Sequence, residues 1–273
     1  MRVVYFDCQA GAAGDMLLGA LLDAGEQLEM AQHRTSFIDR WMVALQPLLA
    51  LEDHARVEAK RVMRAGVECL KIDFFVGDTH ADHHHAKGHG HSHGHHDHRH
   101  YRDIKQLIVE WSRQGALSVR AAKTAERAFE LLAVAEGKVH GIDPEKVHFH
   151  EVGAFDAIMD IVGFGIALEL LTADRIEASP VTFGSGFVEA AHGRMSVPPP
   201  AVAEIALRSG IPTTGLELQG ECLTPTGAAL LAATVERWGG VPALTKIEAQ
   251  GFGAGTRDTK GMANAVRVLV GAP

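Results

Sequence analysis

Val147-His148-Phe149-His150-Glu151-Val152-Gly153-Ala154, continuing through Phe155-Asp156-Ala157-Ile158-Met159-Asp160, changes its periodicity part-way along. Before Glu151 apolar and polar residues alternate as in a strand, so His148 and His150 project from one face. Beyond Gly153, Phe155, Ile158, Met159, Val162 and Ile166 recur at three- and four-residue steps, the spacing of a helix. Asp156 and Asp160 are i and i+4 on that helix and share a face. Asp156 also stands in the first turn, where the helix dipole favours a carboxylate. The stretch predicts a strand-to-helix corner that presents imidazoles together with Glu151, Asp156 and Asp160. Such donors suit a divalent ion of the Ni, Zn or Mn type. The competing reading is a half-buried strand with two satisfied histidines, followed by an ordinary first-turn acid.

The chain around this corner has 273 residues, 47% of them hydrophobic and 22% charged. That is enough for one large or two modest domains with a real core. The formal net charge is -8 and no Lys/Arg stripe is sustained, which argues against nucleic acid as the main partner. No apolar run is long enough to span a bilayer, so no membrane partner is expected. The N-terminus reaches Asp7 too early for a signal peptide. Cys8, Cys69 and Cys222 form no CxxC pair and no disulfide framework, which fits a reducing, cytoplasmic location.

Upstream of the corner, residues 2–6 read as a buried strand. A turn containing Asp7, Gly11, Gly14 and Asp15 follows, then a helix expected to stop at Gly25. A glycine-containing turn between strand and helix can offer backbone N–H groups to an anion. It is neither a Walker A sequence nor a dinucleotide GxGxxG. Asp7 and Asp15 are candidate metal ligands; equally, Asp15 is a first-turn acid and Asp7 a turn former. A helix over 35–51 with Pro47 in it and a hairpin over 56–76, turning at Arg64-Ala65-Gly66, come next.

Between positions 80 and 100 the composition changes to HADHHHAKGHGHSHGHHDHRH. There is almost nothing to bury, so a disordered surface loop is expected. Imidazole is a preferred ligand of Ni, Zn and Cu. His83, His84, His85, His89, His91, His93, His95, His96, His98 and His100 are therefore expected to gather metal. A loose tract suits capture or storage rather than catalysis, which needs fixed geometry.

Helices over 101–114 and 117–139, the second with Ala121, Ala125, Ala128, Leu131, Leu132 and Ala135 on its apolar side, lead to the corner, and a strand at 175–179 follows it. Glycine-rich extended pieces at 183–195 include His192, a turn residue and a weak candidate acid or base. After Val197-Pro198-Pro199-Pro200 comes a helix over 201–208. At Leu223-Thr224-Pro225-Thr226-Gly227, Thr224 is placed to N-cap a helix with Pro225 at its first position. Thr224, Thr226 and Gly227 are candidate phosphate contacts, although a well-capped core helix has the same signature. Gln250-Gly251-Phe252-Gly253-Ala254-Gly255-Thr256-Arg257-Asp258 reads as a glycine-rich loop in which Gly253, Gly255 and Arg257 can meet a phosphate, or as a turn between two strands. A strand at 265–270 closes the chain.

Taken in order, these motifs resemble the LarC-type nickel insertion proteins, also described as pyridinium-3,5-bisthiocarboxylic acid mononucleotide nickel chelatases. The matching residues are 5–16, the His-rich insert, 147–154 with Asp160-Ile161-Val162-Gly163, and 184–188. They continue through 191–193, 197–201, 223–229 and 251–258. The resemblance implies insertion of nickel into a pyridinium mononucleotide bearing two thiocarboxylates, giving the nickel-pincer cofactor of lactate racemase-type enzymes. It also implies dependence on CTP with Mn or Mg, and a lactate racemase-type apo-enzyme as recipient. Longer members continue into a smaller CTP-binding domain. Here that half is a separate C-terminal partner chain, lies beyond this sequence, or is absent.

The expected fold class is α+β, helices packed on mixed β-sheets, with an N-terminal α/β lobe over residues 1–78, the loop at 79–100 and a main lobe over 101–273. Because a metal–carbon bond forms with loss of a ring proton, His148, His150 and Glu151 are candidate catalytic bases. Asp7, Asp15, Asp156 and Asp160 are candidates for a tighter metal site. Two rivals stand beside this: a nickel metallochaperone or store that catalyses nothing, and a metal-dependent phosphohydrolase. The oligomeric state, a homo-oligomer included, is open.

Overall fold

The computed structural model describes residues 1–32, 35–77, 79–80, 99–149, 152–190, 193–258 and 262–273, with backbone alone at 79, 80 and 190. The fold is α+β, as the sequence leads one to expect. Seven helices are found among the described residues: α1 Gly14–Ala31, α2 Phe37–Leu49, α3 Tyr101–Arg113, α4 Val119–His140, α5 Phe155–Leu170, α6 Pro200–Ser209 and α7 Pro225–Thr234. The strands are β1 Val3–Asp7, β2 Ala55–Arg64, β3 Val67–Val76, β4 Thr79–His80, β5 Arg175–Ala178, β6 Gly184–Ser185, β7 Phe187–Ala190, β8 Gly193–Ser196, β9 Gly220–Glu221, β10 Arg237–Trp238, β11 Lys246–Ala254 and β12 Ala265–Ala272.

The main sheet has the order β10-β5-β1-β12-β11-β3-β2, with β4 paired to β3. It is mixed: β1 runs parallel to β5 and antiparallel to β12, and β11 runs parallel to β3. Strands from before and after the histidine tract interleave, so the two stretches expected as lobes share one sheet. The hairpin of β2 and β3 turns through Ala65 (φ 47°) and Gly66 (φ 85°), the left-handed pair that matches strand twist.

Inside the helical layer α5 is buried nearly all round, as expected of a helix with no polar stripe. Its glycines admit neighbours. Trp41 of α2 donates its indole N–H to the Gly163 carbonyl at 2.9 Å, and a β-carbon at Gly163 would lie 3.0 Å from that ring. The expected apolar side of α4 is buried throughout, from Ala121 to Ala135.

Three sequence expectations are corrected. Helix α1 does not stop at Gly25 but runs to Ala31; Gly25 is the point where the Phe37 ring lies against the helix. Residues 250–254 are strand β11, not loop. Gly251 and Gly253 share one face of that strand and meet the backbone of α1 at Ala20, Ala24 and Met16. The expected strand before α5 is, over its described part, a single antiparallel bridge between His148 and His100.

Candidate functional site

The alternation read before α5 is present. Val147 and Phe149 are each 1% exposed on one side, and His148 is half-buried on the other. Phe149 packs against the rings of Tyr101 and Phe129. Its partner segment is the end of the histidine tract. Tyr101 N–H donates to Val147 O at 3.0 Å, and Phe149 N–H donates to Arg99 O at 3.1 Å. The ring centres of His100 and His148 are 4.5 Å apart. Arg99 is further tied to Glu52 by an ion pair. At its other end the tract leaves from β4, whose residues pair with Phe75 and Val76 of β3. His83, His84, His85, His89, His91, His93, His95, His96 and His98 lie outside the described residues, as do His150, Glu151 and His192.

A second cluster forms where three helices meet. The loop after β1 is zipped to the lead-in of α7: Ala12 N–H donates to Cys222 O at 2.8 Å, and Thr224 N–H to Ala12 O at 3.0 Å. Gly11, at φ 102°, takes the backbone conformation this approach requires. The starts of α1 and α7 therefore lie side by side. Asp160, one turn into α5, reaches the same place: a β-carbon at Gly14 would lie 2.6 Å from Asp160 Oδ2 and 2.9 Å from the Thr226 methyl. A carboxylate there is favoured by the positive end of α1.

The candidate phosphate contacts also gather around these two helix starts. Thr224 caps α7 by accepting from Gly227 N–H at 3.2 Å, as its position after Leu223 led one to expect. That donor is thus occupied. Thr224→Ala is expected to cost about 1 kcal/mol, read as a shift in the urea midpoint. Gly255 lies beside Met16 in the first turn of α1, and the Arg257 guanidinium donates to Glu221 O just ahead of α7. Gly253 lies further along α1 and serves the close approach of β11.

The two acids read near the N-terminus are each engaged with a cation. Asp7 pairs with Arg267 at 2.6 Å. Asp15 pairs with Lys71 at 3.0 Å, and Lys71 pairs in turn with Asp73 at 2.9 Å. Lys60 closes on Asp73 from the solvent side at 2.6 Å. Burial works against the charge on Lys71, but Asp15 and Asp73 outweigh it and raise its pKa. Burial, helped by Asp7, pushes the Cys8 thiol far above its usual range, so it is a neutral thiol near neutral pH. Among the described residues no group of three or more His, Cys, Asp or Glu is placed to hold a metal ion.

A sequence model of the family described as nickel insertion protein matches residues 4–273. The chain belongs to the nickel insertion protein family.

Two relatives in that family carry the name pyridinium-3,5-bisthiocarboxylic acid mononucleotide nickel insertion protein. The one from Geobacillus kaustophilus is 39% identical over 271 residues, which is 99% of this chain and 60% of the relative. The one from Acetivibrio thermocellus is 38% identical over 273 residues, again 99% of this chain and 60% of the relative. A relative in Geotalea uraniireducens is 40% identical over 271 residues and is matched over 61% of its length. The chain thus spans about three-fifths of the curated relatives it matches. No solved structure matches it. No helix among the described residues is long and apolar enough to cross a membrane.

For a nickel insertion family member, sequence reasoning missed Lys71 and the pairing of His100 with His148. The signal for Lys71 was present. Cys69-Leu70-Lys71-Ile72-Asp73-Phe74-Phe75 sets two opposite charges at i and i+2 within an apolar strand, where each needs a buried partner. The histidine pairing joins positions 48 residues apart, and no local pattern announces it.

Proposed function

We propose that this chain handles and inserts nickel into pyridinium-3,5-bisthiocarboxylic acid mononucleotide, in a CTP-dependent reaction completed with a nucleotide-binding C-terminal part. The observation that carries the reading is the match of nearly the whole chain to two relatives named for that insertion. Nickel is the substrate ion. Mn or Mg would accompany CTP, and a lactate racemase-type apo-enzyme would receive the product.

The site's chemistry supports the assignment. The mononucleotide phosphate needs an anion-binding surface, and the start of α7 with Arg257 close by has that character, whereas the start of α1 already carries Asp15 and Asp160. Binding nickel to both sulfurs and to a ring carbon releases the ring proton to a base. His150 and Glu151, directly after the His148 bridge, have the chemistry for that transfer. Asp156 and Asp160 follow on α5.

The test is optical conversion of the bisthiocarboxylate mononucleotide to its nickel form, with Ni, Mn and CTP, with and without the C-terminal part of a relative. Conversion is expected with that part present. Glu151→Gln is expected to slow it by about 10²–10⁴-fold while nickel binding persists. No conversion under either condition, with several nickel ions bound per chain, would replace the insertion reading by a metallochaperone.

A further inference from the structure

His100 and His148 face each other in a short antiparallel ribbon. The bonds on either side run from Tyr101 N–H to Val147 O and from Phe149 N–H to Arg99 O. This makes the two histidines a non-hydrogen-bonded pair. In such a pair the α-carbons stand about 4.5 Å apart and both side chains leave the same face. The ring centres are 4.5 Å apart and the planes tilt by 54°. Two imidazoles bound cis to one ion, through bonds of about 2.0–2.1 Å, have ring centres about 4.5 Å apart.

We propose that His100 and His148 together hold nickel, their two imidazoles cis on one ion. This rests on the nickel insertion reading and names the protein ligands for the ion before transfer. Neutral imidazole suits divalent nickel, and two cis nitrogens fit tetragonal or octahedral coordination.

The pair is fixed in place. Val147 and Phe149 are buried behind it, and a β-carbon at Gly153 would lie 2.9 Å from the Phe149 β-carbon and 3.2 Å from Arg99 N. That backing supplies the rigidity a transfer geometry needs. His100 is exposed and His148 half-buried, so nickel would arrive from the His100 side.

The test uses the full chain with a reporter at the site itself. His148→Cys is titrated with nickel(II), and the near-ultraviolet thiolate-to-nickel charge-transfer band is followed. The band is expected in His148→Cys, absent from the unsubstituted chain, and lost when His100→Ala is added. The unsubstituted chain controls for its own thiols, of which Cys8 and Cys69 are buried. Should His148→Cys fail to fold, the reciprocal His100→Cys, at an exposed position, is read with and without His148→Ala. No band in the folded reporter would overturn the proposal, leaving the ring contact as packing only. An undiminished band after removal of the second histidine would overturn it too, assigning the other ligand elsewhere. Conversion of the mononucleotide by the unsubstituted chain is scored separately. A failure of the insertion reading is therefore distinct from a failure of this site.

Discussion

Lys71→Met is expected to destabilise the protein by about 3–5 kcal/mol, the cost typical of leaving a buried charge without its partner. Lys71 is 4% exposed on β3 and bridges Asp15 at the start of α1 to Asp73, itself 3% exposed. Methionine fills similar volume, so packing is largely kept and the missing charge is what is measured. Lys60 remains on Asp73, so the carboxylate left most exposed to the loss is Asp15. Urea unfolding should show a lower midpoint with an unchanged slope. The double substitution Lys71→Met with Asp15→Asn should recover part of the difference, because the carboxylate that loses its cation is then neutral. A change below about 1 kcal/mol would mean that both carboxylates find water once the lysine is gone.

The same network sets an alkaline limit. The two carboxylates raise the pKa of Lys71 above that of an unfolded lysine, about 10.4. A raised folded pKa gives stability that is complete below the unfolded value and is lost as pH climbs through the folded one. The wild-type chain should therefore lose stability above about pH 10.4, and Lys71→Met should lack that part of the decline.

Gly253→Ala is expected to cost about 3 kcal/mol and to lower the melting temperature by about 6–12 °C. A β-carbon at that position would come closer than 3.0 Å to the Met16 carbonyl oxygen and the Ala20 nitrogen, a separation real β-carbons do not show. Both atoms are backbone in α1, so no side chain can swing aside. Strand and helix would have to part along an interface that also holds Gly251 against Ala20 and Ala24. Calorimetry with a substrate titration separates this from a role in phosphate contact alone. If Gly253 only met the mononucleotide, the melt would stay put and substrate affinity would fall.

Much of the fold was legible along the chain. The 3.6-residue period of α5, the alanine face of α4, the cap at Thr224 and the Ala65-Gly66 turn are local patterns with local causes. The glycines of β11 were misread for an equally physical reason. A glycine that opens a turn and a glycine that lets a helix backbone approach leave the same letter, and only the neighbour tells them apart. Gly25 is the same case: it looks like a stop and is a crossing point for Phe37.

By itself the sequence determined most of the elements, the α+β class and the family, since periodicity and ordered motifs are properties of neighbours in the chain. Only the tertiary structure decided which charges meet and which imidazoles pair. Asp15 and Lys71 are 56 residues apart, and Asp7 and Arg267 are 260 apart. His148 has His100 opposite it because of a bridge register. Such partners are set by the sheet order and by the docking of α1 on β3 and β11, which bury charged and polar groups far apart in sequence against one another.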